Sequence, residues 1–323
     1  MNEKTSRPLR PSDTSPKSFG FGGGWVGVAL LFAILAVSTA SIFIKFAQED
    51  APSLVIAALR LTLASLALGP IALTRHRAEL RGLTRNDLIL GLLSGLFLSI
   101  HFATWITSLE YTTIASSVVL VSTGPLWVAL LAPVFLREPL TRPVLIGMAL
   151  ALVGGIVIGM SDSCTWNNGL SCLSLNRVLH GRALFGNFLA LTGALTVAGY
   201  LMIGRKLRIK ISLVPYIFLV YTTAAICLLA FMLIAGESPF GYTPMTYLWI
   251  LLLALIPQLI GHSTYNWALA HLPAAFVAIT TLGEPIGSAI LAYFILQEMP
   301  TAATLTGGVL ILIGIYLASR NTK

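Results

Sequence analysis

Apolar residues run along the chain in ten long blocks, separated by short polar connections. Each block holds about 18 or more mostly apolar residues, and a helix of that length can cross a hydrocarbon core of about 30 Å. A membrane β-barrel would instead show alternating segments of about 10 residues. The pattern therefore predicts an all-α polytopic membrane protein with ten transmembrane helices. The predicted spans are 25–46, 53–74, 87–109, 113–136, 142–160, 183–204, 212–235, 246–270, 273–297 and 301–319.

Composition supports a membrane protein over a soluble one. Of 323 residues, 56% are hydrophobic and 10% charged, and the mean hydropathy is +0.87. A soluble fold cannot bury that much apolar surface. The polar residues 1–24 predict a disordered cytoplasmic tail. Because no short apolar region with a small-residue cleavage site precedes it, the first span is expected to insert uncleaved.

Basic residues are unevenly distributed among the connections. If the N-terminus is cytoplasmic, sixteen of the twenty Lys and Arg residues fall in the tail, at the C-terminus, or in 75–87, 137–142 and 204–211. This bias follows the positive-inside rule. It predicts a protein of the cytoplasmic membrane with both termini inside, and it accounts for the net charge of +8 without a nucleic-acid partner. The four exceptions are Lys45, Arg60, Arg177 and Arg182.

The second half of the chain repeats the first. Residues 105–157 align without a gap on 265–317 at an offset of 160, and the shared residues include several that are uncommon in apolar helices. The pairs are Pro125 and Pro285, Glu138 and Glu298, Thr141 and Thr301, Gly147 and Gly307, and Gly154 and Gly314. The units 25–160 and 183–319 each contain five spans. Since five is odd, the units must cross the bilayer in opposite senses, which predicts an inverted repeat.

These features together resemble the EamA-type members of the drug/metabolite transporter superfamily. The resemblance rests on the two five-span units, Arg60 early in span 2, the LREPLT and LQEMPT turns, and the GEP that begins at Gly283. It implies a transporter of small metabolites, often outward, in which spans 1–4 and 6–9 enclose a central pathway. The long segment 161–182 departs from the family pattern, which has a short connection there.

Arg60 and Glu284 are the two charged residues predicted near mid-membrane. A charge there costs about 2.5–3.5 kcal/mol on insertion scales, so it needs a partner or a wet cavity. One interpretation is that both line the pathway and bind a zwitterionic substrate at its two ends. The alternative is a fixed ion pair that locks helix packing. In the repeat, Glu284 falls on Gly124 at the offset of 160 and Arg60 falls on Tyr221 at the offset of 161 that fits the earlier part of the unit, so the charges are additions to a shared scaffold.

Pro125 and Pro285 are present in both repeats. Proline removes a backbone N–H and bends a helix, which predicts hinges at these positions. A static kink needed only for packing is the alternative.

Spans 3 and 8 each carry polar and aromatic residues at three- or four-residue steps. Such stripes must face protein or water, since lipid does not tolerate them. Pathway lining and packing are both compatible with the stripes. The candidate substrate-binding residues are Arg60, His101, Trp105, Tyr221, His262, Tyr265, Asn266, Trp267 and Glu284.

Cysteines and small residues raise two further predictions. Cys164 and Cys172 share the segment 161–182, where an oxidising compartment would permit a disulfide. Small residues in spans 5 and 10 allow close helix packing, either within a monomer or between the subunits of a homodimer. No metal-ligating cluster or cofactor motif is recognised in the sequence.

The predicted function is a secondary transporter that exports a small metabolite, an amino acid or a related zwitterionic or aromatic compound, across the cytoplasmic membrane by alternating access. A P-loop is absent from the sequence, so a gradient or the substrate itself is expected to supply the energy. A flippase for lipids or lipid carriers is the alternative. An intramembrane enzyme is disfavoured because neither HExxH nor paired aspartates in facing spans occur.

Overall fold

A computed structural model describes residues 24–112, 117, 120–161, 164–166, 170–172, 182–296 and 302–319. The predicted tail and most of the segment 161–182 lie outside these residues, as does Glu298. The described helices of the first half are α1 Gly24–Ser38, α2 Ala40–Ala47, α3 Ser53–Arg75, α4 Arg77–Arg81, α5 Arg85–Tyr111, α6 Gly124–Phe135 and α7 Arg142–Ser161. Strands β1 Cys164–Trp166 and β2 Leu170–Cys172 follow. The second half has α8 Arg182–Arg208, α9 Leu213–Ile234, α10 Pro244–Leu253, a π-helical segment Ala254–His262, α11 Ser263–Ala268, α12 Ala274–Thr281, α13 Glu284–Leu296 and α14 Ala302–Ser319.

Each of the ten predicted spans contains at least one helix. Within the described residues, seven helical segments are long and apolar enough to cross a membrane by length and composition, and three shorter apolar helices accompany them. The all-α polytopic prediction is therefore confirmed. The connections hold the helix ends through polar contacts, as at α5, where Thr84 and Asp87 form a reciprocal capping box.

Helices α7 and α14 pack against each other through glycines. A Cβ on Gly147 would lie within 3.0 Å of the Gly314 carbonyl oxygen, and one on Gly154 would lie 2.5 Å from the Gly307 carbonyl oxygen. The earlier glycine of α7, Gly147, meets the later glycine of α14, Gly314, and Gly154 meets Gly307, so the helices are antiparallel. Each contact is also the repeat image of the other, as a two-fold axis between the helices requires. The small residues of spans 5 and 10 thus pack within the chain.

A second pair of contacts obeys the same symmetry. Arg208 donates from Nε to the Asn266 carbonyl oxygen at 3.0 Å, and Gln48 donates from Nε2 to the Ile106 carbonyl oxygen at 3.5 Å. The two donors, Arg208 and Gln48, are 160 residues apart, and so are the two acceptors, Asn266 and Ile106. We call the end of the bundle with Arg208 the basic end, and the end with Gln48 the opposite end. The inverted repeat is thus visible in side-chain contacts at both ends.

Two spans are interrupted at equivalent positions. Turns at Ser122–Thr123 and at Leu282–Gly283 precede α6 and α13, and these positions are related by the offset of 160. Pro125 and Pro285 are the second residues of the new helices. Sequence reasoning placed the prolines within bent, continuous helices, whereas here the helices restart. A proline in the first turn loses no helical hydrogen bond, which explains its position.

The backbone of β1 and β2 forms an antiparallel pair. Its register places Cys164 opposite Cys172. Their side chains lie outside the described residues, so the disulfide stays a prediction.

Candidate functional site

A central cavity lies between the two repeats. About 800 Å³ of space not occupied by protein atoms lies within it and at its opening to solvent. In the described part of the chain, α7 and α14 contribute none of its lining. The first repeat contributes Val37, Ala40, Arg60, His101, Trp105, Val121, Ser122, Gly124 and Pro125. The second contributes Val197, Tyr200, Leu201, His262, Tyr265, Ala278, Thr281 and Glu284.

The lining follows the internal symmetry. Several cavity residues of one repeat have their partner, 160 positions away, in the wall of the other. These pairs are Val37 and Val197, Ala40 and Tyr200, Trp105 and Tyr265, Val121 and Thr281, and Gly124 and Glu284. The cavity therefore lies on the axis that relates the repeats, where transporters with inverted repeats bind their substrates. Tyr200 was missed in the sequence, although the offset from a wall residue identifies it.

Arg60 of α3 is fully buried in the cavity wall. Its Nε donates to Oε1 of Gln258 at 3.0 Å, and its Cζ lies 4.3 Å from the centroid of the Phe102 ring. The ring face stabilises the cation. Both terminal nitrogens, Nη1 and Nη2, are without a hydrogen-bond partner among the described residues. The guanidinium is thus fixed on one edge and unsatisfied on the other.

Glu284 is the first residue of α13, directly after the mid-membrane turn. The exposed N–H groups at a helix N-terminus favour a negative charge at this position. Ser38 secures the backbone here by donating from Oγ to the Glu284 carbonyl oxygen at 3.1 Å. Gly287 permits the approach, because a Cβ there would lie within 3.0 Å of Ser38. The close packing of α1 on α13 therefore sets the position of the carboxylate.

Arg60 and Glu284 face the same cavity without forming an ion pair. The pairs found within 4.0 Å among the described residues do not join them. A fixed packing pair is therefore absent from this conformation. The cavity presents two opposite charges, each able to bind a further group.

Two histidines extend the wall around Phe102. Nδ1 of His101 lies 2.9 Å from the Gly193 carbonyl oxygen, and since a carbonyl only accepts, Nδ1 carries the hydrogen. In the neutral ring, Nε2 is then the acceptor. The His101 ring stacks on Trp105 at a centroid distance of 5.9 Å, and the His262 ring contacts Phe102 edge-on at 5.4 Å. The histidines and Trp105 thus form an aromatic wall beside Arg60.

The structure does not bring all predicted site residues to the cavity. Tyr221 and Asn266 are buried behind its wall, where Asn266 donates from Nδ2 to the Tyr200 hydroxyl at 2.5 Å. Trp267 is partly buried and lies 5.0 Å from the His271 ring, between centroids. Tyr221 and Asn266 support the wall through hydrogen bonds, and none of the three residues lines it. Arg60, His101, Trp105, His262, Tyr265 and Glu284 do line it.

Known proteins provide an independent comparison. An uncharacterized transporter of Archaeoglobus fulgidus is 24% identical over 292 residues, 90% of this chain and 96% of that protein. A probable terminal-alkyne amino-acid exporter of Streptantibioticus cattleyicolor is 25% identical over 271 residues, 81% of this chain and 82% of its own. The pseudopaline exporter CntI of Pseudomonas aeruginosa is 24% identical over 298 residues, 91% and 96% of the two chains.

A solved crystal structure shares the fold. It superimposes with a TM-score of 0.73 over 93% of this chain and 98% of its own, at 18% identity. Residues 24–160 and 184–320 each match the EamA-like transporter family. The family match covers both halves of the chain, and the protein belongs to the EamA-like transporter family.

Proposed function

We propose that this transporter exports a small zwitterionic compound of the amino-acid class across the cytoplasmic membrane by alternating access. We place both termini in the cytoplasm, because the basic end carries most of the Lys and Arg residues in the part of the chain that the structure describes. The basic end is then the cytoplasmic end. The transporter is a secondary one, driven by a gradient.

The observation that carries the proposal is the pair of unjoined opposite charges, Arg60 and Glu284, in one cavity. An amino acid has a carboxylate for the arginine and an ammonium group for the glutamate. Its net charge is zero, so the occupied site moves no net charge of its own. Trp105 and Tyr265, which are repeat partners, supply flat apolar walls for an aromatic or aliphatic side chain.

Two relatives support the direction and the class of substrate. One is named for exporting an amino acid and the other for exporting pseudopaline. Both cover more than four-fifths of this chain, so the resemblance includes the cavity-forming helices of both repeats.

Alternating access requires that contacts at one end break while those at the other form. At the basic end, Glu138 joins the repeats by accepting hydrogen bonds from Arg205 Nε at 2.7 Å and from the Ala274 N–H at 3.1 Å. Hydrogen bonds to charged groups contribute about 1.5–3 kcal/mol each, which is small enough for substrate binding to overcome. We therefore assign Glu138 to the closure of this end.

The proposal is tested by flux into and out of proteoliposomes containing the purified protein. Labelled amino acids are offered singly, with and without a pH gradient. We expect exchange of at least one amino acid in the native protein, and none in Arg60→Ala or Glu284→Gln, both still inserted. Trp267→Phe, outside the cavity wall, is the matched control and keeps its flux. Normal flux in both charge variants, or movement of labelled lipid in place of amino acids, would contradict the proposal.

A further inference from the structure

We infer that Gln258 is a positioning residue that prepares Arg60 to bind the carboxylate group of the substrate. The inference rests on the proposed function, since it concerns the same cavity, and it names the group recognised there. Gln258 was part of the polar stripe of span 8 but was not among the predicted binding residues. Its role follows from three features of its surroundings.

The first feature is the way Gln258 itself is held. It lies fully buried in the π-helical segment Ala254–His262, after Pro257. Its backbone carbonyl oxygen accepts a hydrogen bond from Ser263 Oγ at 3.3 Å and lies 3.5 Å from the Tyr221 hydroxyl. The same carbonyl also accepts the backbone N–H of Ser263 at the end of the π-helical segment. The backbone of Gln258 is thus held independently of Arg60.

The second feature is the orientation of the amide. An arginine Nε only donates, so the atom of Gln258 that faces it must be the oxygen. That assignment fixes Nε2 as the other amide atom, and Nε2 has no partner among the described residues. Nη1 and Nη2 of Arg60 are likewise without partners. Three buried nitrogen atoms that only donate are therefore unsatisfied at one place.

The third feature is the part of the buried guanidinium that has no hydrogen-bond partner among the described residues. Gln258 occupies its Nε, and the Phe102 ring covers one face at 4.3 Å from Cζ. What remains is the edge formed by Nη1 and Nη2. That edge matches a planar anion with two oxygen atoms, the bidentate geometry that arginine forms with carboxylates.

The chemistry of the missing group follows. Leaving a buried donor unpaired is costly, and a ligand rich in acceptors relieves that cost. An ammonium group supplies only donors and cannot do so. The carboxylate therefore binds at Arg60, which leaves the ammonium group for Glu284 and fixes the orientation of the substrate in the cavity.

Gln258 could instead be needed only to satisfy a buried arginine. The two roles differ in what they do to selectivity. A purely structural glutamine changes stability and weakens all ligands alike. A positioning glutamine changes the preference for a carboxylate over an uncharged amide of the same shape.

The test uses the purified full-length chain and binding measured by the concentration dependence of the melting temperature. The probes are the standard L-amino acids and, for each one that binds, its carboxamide and its deaminated acid. In the native protein we expect the carboxamide to bind at least about tenfold more weakly than the amino acid, which corresponds to about 1.4 kcal/mol. The deaminated acid is expected to bind more tightly than the carboxamide.

In Gln258→Met, which keeps the length but removes the amide, we expect the tenfold ratio to fall to about threefold or less, with binding of the carboxamide unchanged. Gln48→Met at the opposite end is the control and keeps the ratio. If Gln258→Met does not yield folded protein, Gln258→Glu provides the same comparison, because its carboxylate takes the place of the ligand's and abolishes the preference.

The inference is overturned if no amino acid or deaminated acid binds, if carboxamides bind as tightly as acids, or if the ratio is unchanged in the folded Gln258 variants. Carboxylate-selective binding without any flux in proteoliposomes would instead contradict transport alone and leave the inference standing. Flux in proteoliposomes without carboxylate-selective binding would contradict the inference and leave the transport proposal standing.

Discussion

Glu138 and Arg205 join the two repeats through a hydrogen bond of 2.7 Å between Oε1 and Nε. Arg205 also donates from Nη1 to the Leu269 carbonyl oxygen at 2.8 Å, at the C-terminus of α11, and Glu138 accepts from the first N–H of α12. The cation thus lies at a helix C-terminus and the anion at a helix N-terminus, each the favoured sign. One ion pair therefore secures both sides of the turn between α11 and α12.

Glu138→Gln is expected to open the basic end more often. The amide keeps the shape but loses the charge that holds Arg205. A reporter cysteine replacing Ala278 in the cavity wall, in a chain without native cysteines, should react severalfold faster with an impermeant maleimide applied from that end. Lys206→Gln, at the exposed neighbour of Arg205, is the control. An unchanged reaction rate in Glu138→Gln would exclude the closing role.

Arg60→Lys is expected to lose transport although it keeps the positive charge. Lysine has no Nε–H for Gln258 and no planar edge for two oxygen atoms. Exchange in proteoliposomes should fall by about tenfold or more. A variant that retains most of its flux would show that charge alone is sufficient at this position.

Gly147→Ala is expected to destabilise the fold. The new Cβ would lie 2.9 Å from the Ala318 backbone nitrogen and closer still to the Gly314 carbonyl oxygen, and backbone atoms cannot move aside cheaply. Overpacking of this kind costs about 1–3 kcal/mol. Gly155→Ala on the same helix is the matched control, because its Cβ would meet nothing within 4 Å. Equal melting temperatures for the two variants would contradict the packing described for α7 and α14.

Asp50 is expected to make stability depend on pH in the acid range. The Thr243 N–H and the Thr246 hydroxyl donate to its carboxylate, both at 2.8 Å, and they hold its pKa below the ordinary value of 3.8. A lowered pKa in the folded state gives stability that is present above 3.8 and is lost as the pH falls through the folded value.

Asp50→Asn should therefore melt below the native protein at pH 5–7, and the difference should shrink as the pH falls below about 3.8. Glu49→Gln, at the exposed neighbouring residue, serves as the control. A difference that persists unchanged into acid would show that the hydrogen bonds do not act through the charge of Asp50.

Sequence reasoning located the charges of the cavity but not the surroundings that orient them. Arg60 and Glu284 were identifiable because a charge in a membrane helix is costly, and that cost can be read from one residue and its neighbours. The partner of Arg60 could not be identified in this way. Gln258 belongs to the polar stripe of span 8, but a stripe does not show which residue of another helix a side chain contacts, and the π-helical turn changes the angular step per residue from that of a 3.6-residue helix.

The same limit explains the residues placed behind the wall. Tyr221 and Asn266 share the polar character of the wall residues, but the Asn266 amide donates to the hydroxyls of both Tyr221 and Tyr200. Sequence periodicity shows which residues avoid lipid. It does not separate a residue that faces a cavity from one that faces another helix, because both are polar and both are buried. The repeat offset does not separate them either, since Tyr221 is the repeat partner of the wall residue Arg60 and yet lies behind the wall.

The contact between Gly147 and Gly314 has a thermodynamic consequence for the proposed cycle. If the repeats exchange their shapes between the inward-open and outward-open states, the contact of Gly147 with Gly314 takes the geometry of its repeat image, the contact of Gly154 with Gly307, and the reverse. The summed energy of the two contacts is then the same in both states and cancels from the ratio of their populations. Substitutions along this seam should lower the unfolding temperature yet leave the balance between the two openings unaltered, whereas those at Glu138 should shift that balance.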